Sequence, residues 1–176
     1  FRHDIRAIDV EFNTAPLVGE TPTARCLILI TPDAQRTMCT YLGACVLLKP
    51  ADLDEDMIKN AKVTYLEGYL FDRDHAKQAF RRGAEIAHAA GKKVALTLSD
   101  PFCVDRHRDE FLQLVQSHVD ILFANEAEIL ALYKTNDFAD AVKYVKDDCD
   151  LAAITRSEKG SIIVSNAETL TVIAEP

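Results

Sequence analysis

Apolar and polar positions follow two different patterns along the chain, with a change near residue 45. Before that point, Ile8–Phe12 alternates apolar with polar residues, as a half-buried strand does. Two more short strands are predicted at Ala24–Ile30 and Arg36–Leu42, with a Pro-Asp turn between them. Three short strands without an intervening helix indicate a small antiparallel β element over residues 1–45.

From residue 46 onward, short β-branched runs alternate with amphipathic helical segments. The clearest helix, His75–Ala90, repeats apolar residues at three- and four-residue steps, with Asp72 or Asp74 to cap its start and Gly91 to end it. The predicted strands are Val63–Leu66, Val94–Leu98, Val119–Phe123, Leu151–Thr155 and Ser161–Val164. This alternation is typical of βαβ units, so the sequence predicts an α/β fold with a parallel sheet.

Composition and charge exclude several classes of function. The 176 residues suit one globular domain, with 48% hydrophobic and 27% charged residues. The net charge of -8, from 20 basic and 28 acidic residues, argues against a nucleic-acid-binding protein. No apolar run approaches the roughly 18–20 residues that cross a bilayer, so no membrane partner is expected. The five cysteines contain no C-x-x-C pair, which argues against a zinc site and favours a reducing, cytoplasmic compartment.

Polar residues stand where four of the predicted strands end. Glu67 follows the first strand, Asp100 the second, Asn125 and Glu128 the third, and the segment 155–160 the fourth. Ligands of open α/β sheets bind beyond the carboxyl ends of the strands, so these residues are candidates for a functional site. Each also has a local explanation: Asp100 as a turn residue before proline, Asn125 as a helix cap, and Glu128 as an acid in the first helical turn.

Asn125 and Glu128 are three positions apart and therefore share one face of the first turn of a helix. Carboxylate and amide oxygens suit hydrated Mg²⁺, which keeps several waters and touches few protein ligands. Such a pair can organise the metal and the phosphates of a nucleotide for phosphoryl transfer. The chain has neither G-x-x-x-x-G-K-[ST] nor G-x-G-x-x-G, which argues against a P-loop enzyme and against a nicotinamide-dependent Rossmann enzyme.

Four segments, taken in order, resemble the ribokinase-like (PfkB) carbohydrate kinase family. They are Thr23–Thr37, Tyr65–Tyr69, Asn125–Glu128 and Thr155–Ser161. The resemblance covers nearly the whole chain. It implies a parallel sheet flanked by helices, with residues 1–45 as a small β-strand lid and residues 46–176 as the nucleotide-side α/β core. The lid and Leu66-Glu67-Gly68-Tyr69 look most like the branch of bacterial adenosine kinases and related nucleoside and sugar kinases.

The resemblance implies roles on the nucleotide side, with ATP and Mg²⁺ as cofactors. Asn125 and Glu128 match the motif that organises Mg²⁺ and the ATP phosphates, with Glu128 acting on the metal through water. Thr155, Ser157 and Gly160 match the loop that borders the nucleotide. Relatives often carry Gly where Ser157 stands, so this position departs from the family pattern.

The resemblance also implies roles near the acceptor and the transferring phosphate. Glu67 matches a strand-end position near the acceptor sugar, and Asp100 falls where relatives carry Asp or Asn near the metal. Arg36 resembles a basic lid residue that approaches the transferring phosphate when the lid closes. Its alternative is an exposed strand cation. Lids of relatives cover their own active site or pair with a second subunit, so a homodimer formed through the lid stays an alternative.

The function implied is ATP-dependent phosphoryl transfer to the hydroxymethyl group of a nucleoside or sugar, as in adenosine kinase. The alternatives are a fructokinase- or ribokinase-type sugar kinase and a non-catalytic protein that binds a nucleotide or sugar. The family's G-A-G-D element, whose Asp is the general base, is absent from the chain and is expected beyond Pro176. We therefore expect these residues to be an interior piece of a longer kinase, inactive alone.

Overall fold

The computed structural model describes residues 1–174, which divide into two compact units, with the second beginning at Lys49. The first unit contains helix α1 (Arg2–Ala7) and a hairpin of strands β1 (Arg25–Ile30) and β2 (Arg36–Tyr41). The two strands pair antiparallel, and every residue in them is exposed. This unit is therefore held by its strand ladder and local hydrogen bonds rather than by a buried core of its own.

The prediction of a strand at Ile8–Phe12 is wrong. No strand of the described residues pairs with this segment, which follows α1 directly. Side chains of that helix instead donate to carbonyl groups at the end of this segment and just after it. Arg6 donates to the carbonyl of Phe12 at 3.1 Å, and Arg2 donates to the carbonyl of Thr14 at 2.9 Å. Alternation of apolar residues therefore did not predict a strand correctly here, because the backbone N–H and C=O groups of a strand also need a neighbouring strand to bind.

The second unit is one six-stranded sheet with helices packed on it. Its strands are β3 (Val63–Glu67), β4 (Lys93–Thr97), β5 (Ile121–Asn125), β6 (Leu151–Thr155), β7 (Ser161–Ser165) and β8 (Thr169–Val172). Its helices are α2 (Glu55–Asn60), α3 (Asp74–Ala89), α4 (Pro101–Arg106), α5 (Arg108–His118), α6 (Glu126–Tyr133) and α7 (Phe138–Asp148). The sheet order follows the chain order from β3 to β8. The predicted α/β class is thus confirmed.

Four neighbouring strands, β3 to β6, are parallel, whereas β7 and β8 run antiparallel to their neighbours. The predicted parallel sheet therefore holds for β3 to β6 and is wrong for β7. Residues 156–160 join β6 to β7, and a parallel pair would need a crossover of about a dozen residues or more. Each parallel connection, by contrast, contains at least one helix.

The connecting helices lie on one face of this sheet, because successive right-handed crossovers between neighbouring strands pass over the same side. The core forms between that face and the helices, and its buried strand residues include Leu96, Leu122 and Ile154. On the other face, the rings of Tyr65 and Phe123 lie 6.3 Å apart and are 56% and 41% exposed. The sheet thus has one packed face and one face that the helices of this unit leave open.

Helix α3 matches the prediction at His75–Ala90 to within one residue at each end. Neither of the predicted caps, Asp72 and Asp74, caps it. The carboxylate of Asp72 instead binds Arg106 at 3.2 Å and His107 at 2.8 Å, so contacts from the end of α4 override the local capping signal. Neither α3 nor any other helix within residues 1–174 is long and apolar enough to cross a membrane.

Candidate functional site

The carboxyl ends of β3, β4, β5 and β6 meet at one edge of the sheet, because these strands are parallel. This edge carries seven of the residues predicted from the sequence: Glu67, Asp100, Asn125, Glu128, Thr155, Ser157 and Gly160. Arg36 belongs to the first unit, where it begins β2 opposite Ile30. Its role at a transferring phosphate stays a prediction.

Asn125 ends β5 and caps α6, and it forms a reciprocal capping box with Glu128. The backbone N–H of Glu128 donates to Oδ1 of Asn125 at 2.9 Å. In return, the backbone N–H of Asn125 donates to Oε2 of Glu128 at 2.9 Å, and its side-chain amide donates to Oε1 at 2.7 Å. The capping role considered for both residues is confirmed, and it holds the Glu128 carboxylate in one orientation at the sheet edge.

The Glu128 carboxylate is unusually buried for an acid, since the residue is only 5% exposed. Burial raises the pKa of Glu128, although the hydrogen bond from the Asn125 backbone acts in the opposite direction. The negative charges of Asp100 and Glu67 raise the pKa of Glu128 further. Burial and these same three carboxylates also raise the pKa of Tyr69. Three acids from the ends of three strands therefore share one electrostatic environment.

Asp100 caps α4 through one carboxylate oxygen. Its Oδ1 accepts hydrogen bonds from the backbone N–H groups of Phe102 at 2.8 Å and Cys103 at 3.1 Å. Asp100 was considered as a turn residue before proline, and the structure instead makes it the N-cap of α4, with Pro101 as the first helical residue. Its neighbour Ser99, which the sequence patterns did not single out, donates a hydrogen bond from its hydroxyl to Glu67.

The loop between β6 and β7 is shaped by two residues with positive φ. Ser157 has φ +52° and Gly160 has φ +83°. A Cβ atom at Gly160 would lie 2.0 Å from the carbonyl oxygen of Val172, so only glycine fits there. The backbone N–H of Arg156 donates to the Gly160 carbonyl at 2.8 Å and closes the loop. Thr155, which pairs with Asn125 in the next strand, places this loop beside the start of α6.

Two further residues tie the loop to α6 and were missed in the sequence. Arg156 donates to Oε1 of Glu126 at 2.9 Å, and its guanidinium lies 3.9 Å from the centroid of the Phe138 ring. Lys159 lies 3.7 Å from the same Glu126 carboxylate. These pairs join the β6–β7 loop to α6, so they cannot be predicted from the spacing of residues within either element. Their only sequence signal is that each flanks a motif residue.

The chemistry of the donors at this edge fits a hydrated Mg²⁺ ion. Within residues 1–174, no group of three or more His, Cys, Asp or Glu side chains is close enough to hold a metal directly. Both carboxylate oxygens of Glu128 already accept hydrogen bonds from Asn125. An ion that keeps its own waters and meets Glu128 and Asp100 through them suits this arrangement, and Mg²⁺ is such an ion.

The chain matches the pfkB family carbohydrate kinases over residues 1–176, and it belongs to that family. The crystal structure of adenosine kinase from Sinorhizobium meliloti is similar at 54% identity and a TM-score of 0.94, covering 100% of this chain and 54% of that protein. A probable sugar kinase from Rhizobium etli CFN 42 is similar at 50% identity and a TM-score of 0.92, covering 99% of this chain and 53% of that protein.

A curated relative, the guanosine-inosine kinase of Escherichia coli K12, is 29% identical over 142 residues. The match covers 79% of this chain and 33% of that protein. The chain therefore spans about a third of the length of this relative and about half the length of the two solved structures. The predicted family is thus confirmed, together with the ribokinase-like fold of a parallel sheet flanked by helices.

Proposed function

We propose that the complete protein to which this chain belongs transfers the γ-phosphoryl group of ATP to a hydroxymethyl group of a nucleoside or sugar. The observation that carries the proposal is the reciprocal Asn125–Glu128 pair, which stands beside the 155–160 loop at the carboxyl edge of the sheet. Family membership and the similarity to the S. meliloti adenosine kinase support a nucleoside as the acceptor.

Asn125 and Glu128 act on the nucleotide side in this proposal. When bound, Mg²⁺ neutralises negative charge on the phosphates during transfer. Glu128 holds a water of the ion, and Asn125 keeps the Glu128 carboxylate oriented before any ligand arrives. The negative charges of Asp100 and Glu67 repel the charge of Glu128 and raise its pKa. A cation at this edge of the sheet would relieve that repulsion.

Thr155, Ser157 and Gly160 border the nucleotide in this proposal, and Glu67 faces the acceptor. The loop from Thr155 to Gly160 is closed by its own backbone hydrogen bonds and anchored to α6 through Arg156. Its shape therefore exists before ATP binds, which lowers the entropic cost of binding. The general base is assigned to no residue of this chain, because the chain contains no G-A-G-D element.

The test is a phosphorylation assay on the complete protein with ATP, Mg²⁺ and a panel of adenosine, guanosine, inosine, ribose and fructose. We expect a nucleoside to be the best acceptor. The variant Glu128→Gln should lower kcat by about 100-fold, because it removes the charge that orders the metal's water, and should raise the Mg²⁺ concentration needed for half-maximal rate. Binding of nucleotide or acceptor without turnover in the unmodified protein would overturn the proposal.

Asp56→Asn is the matched control for that variant. Asp56 also lies in the first turn of a helix, α2, but its side chain is 91% exposed. The same exchange of carboxylate for amide there should leave kcat and the Mg²⁺ dependence unchanged. A similar loss in both variants would remove Glu128 from the metal site and leave it as a helix-capping residue.

A further inference from the structure

Ser99 stands between two residues of the proposed site, Glu67 at the end of β3 and Asp100 at the start of α4, and its backbone is strained. The N–H of Asp100 donates to the carbonyl of Leu98 at 2.9 Å, and Ser99 between them has φ +71°. A three-residue turn with this hydrogen bond and a positive central φ is the rare form of the γ-turn. This conformation is unfavourable for serine, so contacts with neighbouring residues must stabilise it.

Residues at the ends of both neighbouring strands lie close to this turn. On the β3 side, a Cβ atom at Gly68 would lie 2.5 Å from the carbonyl oxygen of Thr97 and 2.6 Å from that of Leu98. On the β5 side, the N–H of Leu98 donates to the carbonyl of Phe123 at 3.1 Å. The end of β4 therefore lies close to the backbone of Gly68 on one side and is hydrogen-bonded to Phe123 on the other, which leaves the turn at Ser99 little room to move.

The result of the strained turn is a hydrogen bond to Glu67. The Ser99 hydroxyl donates to Oε1 of Glu67, and within residues 1–174 this is the one hydrogen bond that the Glu67 side chain makes. Its second oxygen, Oε2, is left to accept a hydrogen bond from a ligand. Because the partly buried carboxylate is tethered through one oxygen only, it is oriented and yet able to bind.

We infer that Ser99 is a positioning residue, which holds the Glu67 carboxylate so that its second oxygen accepts a hydrogen bond from a hydroxyl group of the acceptor. The inference rests on the proposed function for the identity of the ligand. It adds a residue outside the four family segments, and it accounts for a strained turn between two residues of the site. The acceptor class it requires is a polyol, such as the ribose of a nucleoside or a free sugar.

The test compares Ser99→Gly with Ser99→Asn in the complete protein. Glycine adopts positive φ without strain and removes the hydroxyl, whereas asparagine tolerates positive φ and keeps a donor. Ser99→Gly should raise KM for the acceptor by about tenfold and leave KM for ATP within about twofold. Ser99→Asn should restore part of the acceptor KM. Equal changes in both KM values, or a lower melting temperature with unchanged KM, would overturn the inference.

Two further measurements separate this inference from the proposed function. In a Glu67→Ala background, Ser99→Gly should change the acceptor KM by less than about twofold, because the side chain that Ser99 holds is already gone. If the complete protein phosphorylates no acceptor, the proposed function fails, and crystal structures of the variants decide the role of Ser99. Displacement of the Glu67 carboxylate in Ser99→Gly but not in Ser99→Asn supports the positioning role. An unmoved carboxylate in both variants overturns it.

Discussion

Asn125 and Glu128 hold each other in both directions, since each backbone N–H donates to the other side chain at 2.9 Å. A capping box usually needs no more than this to start a helix. Here it also keeps a carboxylate in place that is 5% exposed and lies near two other acids. The capping box that begins α6 thus also buries a negative charge, and this charge lowers the stability of the folded protein.

Glu128→Gln should raise the free energy of unfolding at neutral pH. Glutamine keeps an oxygen for the Asn125 N–H but loses the acceptor for the Asn125 side-chain amide. We expect the removal of a buried charge beside two other acids to outweigh this lost hydrogen bond. The pKa of Glu128 is raised in the folded protein, so the penalty on the wild type exists above that pKa and disappears below the ordinary value of 4.5. The gain should therefore shrink as pH falls from 7 to about 4, measured by urea denaturation at each pH. A loss of stability at neutral pH would contradict this account.

Ser157→Gly should stabilise the protein by about 0.5–1 kcal/mol, because Ser157 has φ +52° and glycine removes the strain of the left-handed conformation. Ser157→Val should lower stability by about 1–2 kcal/mol, because a β-branched residue is poorly tolerated there. The control is Ser161→Gly in β7, where φ is not positive and the same exchange should cost about 0.5–1 kcal/mol. Chemical denaturation of the three variants checks the opposite signs, and a destabilised Ser157→Gly would refute the prediction.

Gly160→Ala should destabilise the protein far more than Gly91→Ala, although both glycines have positive φ, +83° and +69°. The Cβ atom at Gly160 would lie 2.0 Å from the carbonyl oxygen of Val172, whereas no atom of residues 1–174 lies within 4 Å of a Cβ atom at Gly91. Gly91→Ala should therefore cost about 1–2 kcal/mol from backbone strain alone. Gly160→Ala should cost at least about 2 kcal/mol more and displace the loop from β8. Equal melting temperatures in the two variants would argue against a close contact between this loop and β8.

Arg156→Lys should lower stability even though the charge is kept. Arg156 pairs with Glu126 at 2.9 Å and stacks on the Phe138 ring at 3.9 Å, and lysine has no planar group for the stacking. In a Phe138→Leu background, the same exchange should have a smaller effect, because the ring is already absent. A double-mutant cycle by thermal denaturation measures this coupling, and additive effects would show that the stacking contributes nothing.

The parts of the fold that the sequence predicted correctly depend on local rules. Helix α3 follows from a repeat of three and four residues, and the Asn125–Glu128 cap follows from a spacing of three positions. Two of the wrong predictions depended on partners elsewhere in the chain. Ile8–Phe12 has the alternation of a strand, but no strand within residues 1–174 pairs with it, and Asp72 binds His107 rather than the helix it precedes. The antiparallel direction of β7 was available in the sequence, because residues 156–160 are too few for a parallel crossover.

The amino-acid sequence alone was sufficient to identify the family, the order of the strands from β3 to β7, helix α3 and the polar residues that follow four of these strands. It could not show that Ser99 binds Glu67, that Arg156 joins Glu126 and Phe138, or that Glu128 is buried among other acids. These relationships depend on which strands are neighbours and in which register they pair. That information is absent from local periodicity, because residues of different strands and helices, far apart in the chain, come into contact only when the sheet forms.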